Sequence, residues 1–186
     1  MATTASYTPT ASDAGKQLTL TVTATKVGYG TASASTSASV ANGAITGGAA
    51  TITGTLAVGS TLTASSTGWT PTPATVTYAW SRDGLPTGVT GDTYALTMAD
   101  VGHAVTVVAT ASAPGYGSRT VTSAPTAQLP PVPMVPGQVT ITGTAAVGST
   151  LTAASTGWTP SDATVTFQWL RNGAPIGIGK NCKIEG

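Results

Sequence analysis

A chain of 186 residues with a formal net charge of +1, of which only 7% are charged against about 25% in an average soluble protein, has no basic stripe to neutralise phosphates. Its 40% apolar content is ordinary for a globular protein, yet no apolar run approaches the ~20 residues of a membrane span. Nucleic-acid binding and membrane insertion are therefore not expected, and the single cysteine, Cys182, excludes an internal disulfide framework.

Thr, Ser, Ala and Gly take the place of the missing charges. Thr restricts χ1 through its branched Cβ and favours strands over helix interiors, so the composition predicts an all-β chain with hydroxyl-bearing polar faces. The opening residues, Met1-Ala2-Thr3-Thr4-Ala5-Ser6-Tyr7, lack the charged n-region and apolar core of a signal peptide. Export information is then expected outside this segment, or release by another route, such as inside a phage particle.

Two blocks recur along the chain. Residues 51–84 (TITGTLAVGSTLTASSTGWTPTPATVTYAWSRDG) align without a gap to residues 140–173 (TITGTAAVGSTLTAASTGWTPSDATVTFQWLRNG). Residues 7–30 (YTPTASDAGKQLTLTVTATKVGYG) match residues 94–117 (YALTMADVGHAVTVVATASAPGYG), keeping Tyr, Asp-x-Gly, an alternating run and Gly-Tyr-Gly. One unit thus has a front half and a back half. In chain order, residues 1–41 are a back half and 42–49 a flexible joint within ANGAITGGAA. Residues 50–128 form the complete unit, at about 80 residues the size of a small sandwich. Residues 129–137 (LPPVPMVPG) are a Pro-rich, semi-rigid linker, 138–175 a second front half and 176–186 a divergent tail.

Period-two alternation places the strands. In the first back half Leu18, Leu20, Val22 and Ala24 share one face. In the complete unit, strands are predicted at 51–53, 60–64, 76–80, 94–97, 105–112 and 120–123. Val76, Tyr78 and Trp80 should point inward, opposite Val105, Val107, Ala109 and Ala111, and Asp83-Gly84 signals a hairpin turn after Arg82. Val165, Phe167 and Trp169 repeat the inward face in the second front half. No helix longer than a turn is expected.

The runs Thr-Ile-Thr-Gly-Thr, Val-Gly-x-Thr-Leu-Thr, Gly-Trp-Thr-Pro, Tyr-x-Trp-x-Arg-Asp-Gly and Ala-Asp-Val-Gly resemble the immunoglobulin-like repeats of secreted and surface proteins from high-GC Gram-positive bacteria. The resemblance runs to about Pro175 and implies immunoglobulin-like β-sandwich repeats, with Trp80 as the core tryptophan of the third strand and Asp100-Val101-Gly102 as the corner before the sixth. Ala104 stands at the corner tyrosine's place and Thr106 at that of the strand cysteine, so the inter-sheet disulfide and the corner tyrosine's hydrogen bond are missing. Packing of Trp80 on Leu62, Val105 and Val107 is then expected to carry the core, with Trp169 its counterpart in the last front half.

Candidate chemistry is sparse. His103 is the sole histidine, and a Ser-His-Asp arrangement needs a positioned nucleophile and an orienting acid. Asp100 is close in sequence, but at what reads as an exposed turn. Asp13, Asp83, Asp92, Asp100 and Asp162 are candidate calcium donors, yet no Asp-x-Asp cluster gathers them, so no metal or other cofactor is expected. Asp100 is instead expected to accept backbone N–H bonds in its corner, beside Gly102. Trp69 and Trp158, in Gly-Trp-Thr-Pro, are candidate platforms for stacking on sugar rings; the competing reading has each cap the core at a sandwich end. A Lys–Asn cross-link is disfavoured, because Lys180, Asn181 and Glu185 crowd one tail. Cys182 reads as a free thiol on that tail, an intermolecular bridge being its alternative.

The expected function is a non-enzymatic spacer or adhesion module of an extracellular or cell-surface bacterial protein, or of a virion surface. Its candidate partners are a cell-surface glycan or protein. The alternative is an accessory carbohydrate-binding module of a secreted polysaccharide-acting enzyme. The half units leave about six apolar side chains without cover, at ~1.5–3 kcal/mol each. The three solutions are a segment cut from a longer array, with frayed or wrongly paired ends, pairing of the halves within one chain, and head-to-tail pairing between chains.

Overall fold

The structure, a computed structural model, describes residues 6–183. The chain divides into two compact units, Met1–Pro131 and Val132–Gly186. The strands of the first are β1 (Gln17–Ala24), β2 (Ala32–Ser39), β3 (Gly43–Ala44), β4 (Thr46–Thr53), β5 (Thr61–Thr70), β6 (Thr75–Arg82), β7 (Leu85–Thr90), β8 (Thr93–Ala95), β9 (Val105–Ser112), β10 (Tyr116–Gly117) and β11 (Arg119–Thr122). Single 3-10 turns, Ala11–Asp13 and Met98–Asp100, are the helical segments among the described residues.

The first back half is a two-stranded antiparallel hairpin, β1 on β2. One face is a hydroxyl ladder in which Thr19, Thr21 and Thr23 meet Ser37, Ser35 and Ser33 at 2.8, 2.8 and 3.0 Å. The opposite face carries the predicted Leu18, Leu20 and Val22, and Leu20 and Val22 remain 61% and 59% exposed. The hairpin joins the following unit through β3, which runs parallel to β10.

The complete unit is a sandwich of two sheets. One has the order β4-β5-β8 and the other β11-β9-β6-β7, every neighbour antiparallel. The alternation sorted β6 and β9 correctly: Val105, Val107, Ala109 and Ala111 are buried, and Trp80 lies opposite Val107. Leu62, Ala64, Tyr94 and Leu96 from one sheet enclose Trp80, Val105 and Val107 from the other. The Asp83-Gly84 turn joins β6 to β7 as a two-residue loop, with φ of 48° and 81°.

Two boundaries fall elsewhere than the composition suggested. The stretch read as a flexible joint is ordered: β4 starts at Thr46 and Ile45 is buried beside Trp69. Its glycines serve close approach, because a Cβ on Gly48 (φ 90°) would lie 2.4 Å from the Trp69 ring and one on Gly47 would lie 2.2 Å from the Gly68 carbonyl. Gly48→Ala should therefore lower the unit's stability by about 2 kcal/mol or more, combining overpacking with left-handed strain, as a thermal melt would show. Leu129, read as the first linker residue, belongs to the core instead. It is 1% exposed, accepts the Gly102 N–H at 2.8 Å and donates its own to His103 at 3.0 Å.

The second unit contains β12 (Gln138–Thr142), β13 (Thr150–Thr156), β14 (Gln168–Arg171), β15 (Ala174–Ile178) and β16 (Asn181–Lys183), in sheets β12-β13-β16 and β14-β15. Residues past Pro175 leave the repeat in sequence but keep it in backbone. Leu151 faces Cys182 on β16 as Leu62 faces Tyr94 on β8, and the Trp169 indole donates to the Gly179 carbonyl at 3.0 Å as that of Trp80 donates to Gly91 at 2.9 Å. β14 is shorter than β6. Residues 75–78 of β6 are laddered by β9 alone, and residues 164–167 have no such neighbour among the described strands.

Candidate functional site

Asp100 is the fully buried charged side chain among the described residues. The 3-10 turn before it points its carboxylate back into the sandwich. Oδ2 accepts the Thr97 N–H at 2.8 Å and the Thr97 hydroxyl at 2.9 Å. Oδ1 accepts the Tyr94 hydroxyl from β8 at 2.7 Å and the Arg82 guanidinium from β6 at 3.1 Å. Arg82 also donates to the Ala99 carbonyl at 2.8 Å. Burial alone would raise the Asp100 pKa, but the Thr97 N–H, the Tyr94 and Thr97 hydroxyls and the Arg82 charge together hold it below the ordinary carboxylate value. Desolvation, then the bond to Asp100, push Tyr94 up to about 12. The backbone N–H bond expected of Asp100 is present, and the carboxylate also ties one sheet to the other. Tyr94 supplies a tyrosine hydrogen bond to the corner from the opposite sheet, where the sequence pattern implied that none remained. The signal for it was the spacing Tyr7…Asp13 and Tyr94…Asp100, kept in both back halves; in the first, Tyr7 donates to Asp13 at 2.9 Å.

His103 lies elsewhere. Its Nδ1 pairs with the Asp83 carboxylate, whose other oxygen accepts the Ala104 N–H at 2.9 Å. These bonds hold Asp83 below its ordinary pKa, the His103 bond being the larger cause. Both side chains are about half exposed. The acid beside the histidine is therefore Asp83 and not its sequence neighbour Asp100, and the pair fastens the β6–β7 turn to the start of β9.

Trp69 ends β5 inside the core with Ile45, Ala109 and Ala111, its indole N–H donating to Ser66 Oγ at 3.0 Å and Ser66 pairing with the Tyr78 hydroxyl at 3.0 Å. Its ring lies against Gly48 and is 9% exposed, the arrangement of a core cap and not of an open stacking platform. Trp158 is half buried, and its Nε1 is buried without a hydrogen-bond partner. Phe167 replaces Tyr78 there, and Ser155 at the Ser66 position makes no bond to the indole.

A groove of about 590 Å³ runs along β6 past Val76, Tyr78 and Ala79 to Thr90, Gly91 and Asp92. One of about 460 Å³ recurs in the second unit along residues 165–168 to Ile178, Gly179 and Lys180. Each lies beside a register shift in its hairpin, so the splayed strands account for it. Asp92 in one becomes Lys180 in the other, so the two grooves do not share an electrostatic preference. No group of three His, Cys, Asp or Glu side chains is placed to hold a metal ion among the described residues, and no helix there is long and apolar enough to cross a membrane. Lys180 is exposed, Asn181 accepts the Thr152 hydroxyl at 3.2 Å, Cys182 is a free, half-buried thiol on β16, and Glu185 lies outside the described residues.

Compared with known proteins, the chain matches no family model, no curated protein and no solved structure.

Proposed function

We propose that this chain is a non-enzymatic spacer or adhesion module of an extracellular bacterial or phage protein, built from immunoglobulin-like repeats. The observation that carries the reading is the use made of the polar side chains. Asp100, Arg82, Tyr94 and Thr97 bond to one another across the sheets, and Asp83 with His103 clamps a turn. Asp83, Asp100 and His103, the candidates nearest to an acid–base site, are thus engaged in holding strands together. The order β4-β5-β8 facing β11-β9-β6-β7 supports the immunoglobulin-like assignment. The hydroxyl ladder of the first hairpin supports a surface stabilised by neutral hydrogen bonds where charges are scarce.

Pulled from its ends in a single-molecule force experiment, the complete unit should resist as one event and release roughly 250 Å or more of chain, at ~3.5 Å per residue. In parallel, the protein should pass insoluble bacterial polysaccharides no more slowly than an unrelated sandwich of equal size. Saturable retention that disappears in Trp158→Ala with the fold intact would replace the spacer reading by the carbohydrate-binding one.

A further inference from the structure

The repeat supplies its own control. In the complete unit β9 pairs with β6 from Thr75↔Ser112 to Arg82↔Val105, and the back half closes over the front half. Val107 and Ala109 are then 0% exposed and Trp80 1% exposed. β1 repeats β9, and β2 covers one of its edges as β11 covers one edge of β9. Yet Leu20 and Val22, at the places of Val107 and Ala109, are 61% and 59% exposed. Trp169, at the place of Trp80, is only half buried, and residues 164–167 lie in no ladder. One half presents an exposed back-half face and a free edge, and the other a half-buried front-half face and a free edge.

The charges match as well. Arg82 bonds Asp100 at 3.1 Å in the complete unit. Their counterparts, Arg171 on β14 and Asp13 in the first 3-10 turn, have no ion-pair partner among the described residues. Asp13 is already held by the Thr10 N–H at 2.7 Å and the Tyr7 hydroxyl at 2.9 Å, both on Oδ2, as the corner carboxylate Asp100 is held by Thr97 and Tyr94. Asn172 adopts the φ of 48° seen at Asp83 and has an amide oxygen where Asp83 has a carboxylate, and Gln17 stands at the sequence place of Ala104. Cys182 stands at the ladder position of Tyr94, and Tyr7 of the first hairpin is that tyrosine's counterpart in sequence.

We propose that a second copy of this chain covers these faces: the β1–β2 hairpin of one copy docks on the β12–β16 unit of another, completing a sandwich with the layout of the central one. β1 adds antiparallel to residues 164–171, setting Leu20 opposite Trp169, Val22 opposite Phe167 and Asp13 against Arg171. This pairing rests on the repeat reading above, but not on the spacer role. Because the two surfaces differ, the contact is heterologous, and copies grow head to tail into a ring or filament.

The test is light scattering of the full 186-residue chain across a concentration series, with charge-reversed variants. The wild type should grow with concentration. Arg171→Asp alone and Asp13→Arg alone should each weaken association about tenfold or more, since each sets like charges across the contact. Mixing the two single variants, or combining both substitutions in one chain, should restore it. The mixture keeps the test meaningful where Asp13→Arg loosens its own turn, because rescue requires a folded hairpin. A compact monomer at every concentration would overturn the proposal in favour of closure within one chain. Association indifferent to either reversal would overturn it too. Retention on polysaccharide, which would sink the spacer reading, leaves these outcomes unaltered.

Discussion

Replacing Trp80 with alanine will strongly destabilise the central sandwich. The ring is 1% exposed, stacks on Tyr94 at 5.3 Å between centroids, and is enclosed by Leu62, Val105 and Val107. Deleting it removes its transfer free energy and leaves a cavity between two sheets whose backbones cannot close on it, a loss of about 3–5 kcal/mol. It also removes the donor to the Gly91 carbonyl. A small domain has about 5–15 kcal/mol in total, so the variant should lose a large share of its stability and unfold at clearly lower urea. Circular dichroism during a urea titration checks this. Trp169→Ala in the second unit is the informative comparison. That ring is half buried, so its removal should cost clearly less than that of Trp80.

Asp100→Ala should be nearly as damaging. It strands the Tyr94 hydroxyl and the Thr97 N–H, at about 1–3 kcal/mol for each buried group left unsatisfied, while Arg82, a third exposed, keeps the Ala99 carbonyl and water. The pH dependence carries the sign. The folded Asp100 pKa lies below the ordinary carboxylate value of 3.8, so its stabilisation is complete above pH ~4 and drains away as pH falls through the folded value. Tyr94 moves the other way, from 10.0 to about 12, so its contribution is whole below pH 10 and is lost as pH climbs toward 12. Urea midpoints between pH 2 and pH 12 should therefore fall at both ends. Asp100→Asn should flatten the acid limb, leaving the slope that Asp13 and Asp83 contribute, and move the alkaline limb toward pH 10. An acid limb of unchanged steepness in Asp100→Asn would contradict the role given to this carboxylate.

The fold was largely legible before any coordinates. β6 and β9 announced themselves because a half-buried strand writes its burial into a period of two, and Asp83-Gly84 because few dipeptides accept two positive φ values in succession. β7 was missed, since Leu-Pro-Thr-Gly-Val alternates nothing and is recruited by the backbone groups of β6. β16 was missed for the same reason, its pairing with β13 depending on no particular side chain. The chemistry divided likewise: Asp100 was marked as a corner residue, while its partners Arg82 and Tyr94 lie 18 and 6 positions away on separate sheets.

Sequence by itself determined that this chain is all-β and that a block with two tryptophans occurs twice in it, because periodicity and repetition are local properties of the text. Tertiary structure decided which of those tryptophans are covered, that Trp69 lies on Gly48 and not in solvent, and that His103 meets Asp83 while Asp100 goes to Arg82. Burial and pairing are set by whichever strand arrives from elsewhere in the chain. Identical side chains, as Trp80 and Trp169 demonstrate, are therefore buried or left half open according to the neighbour they find.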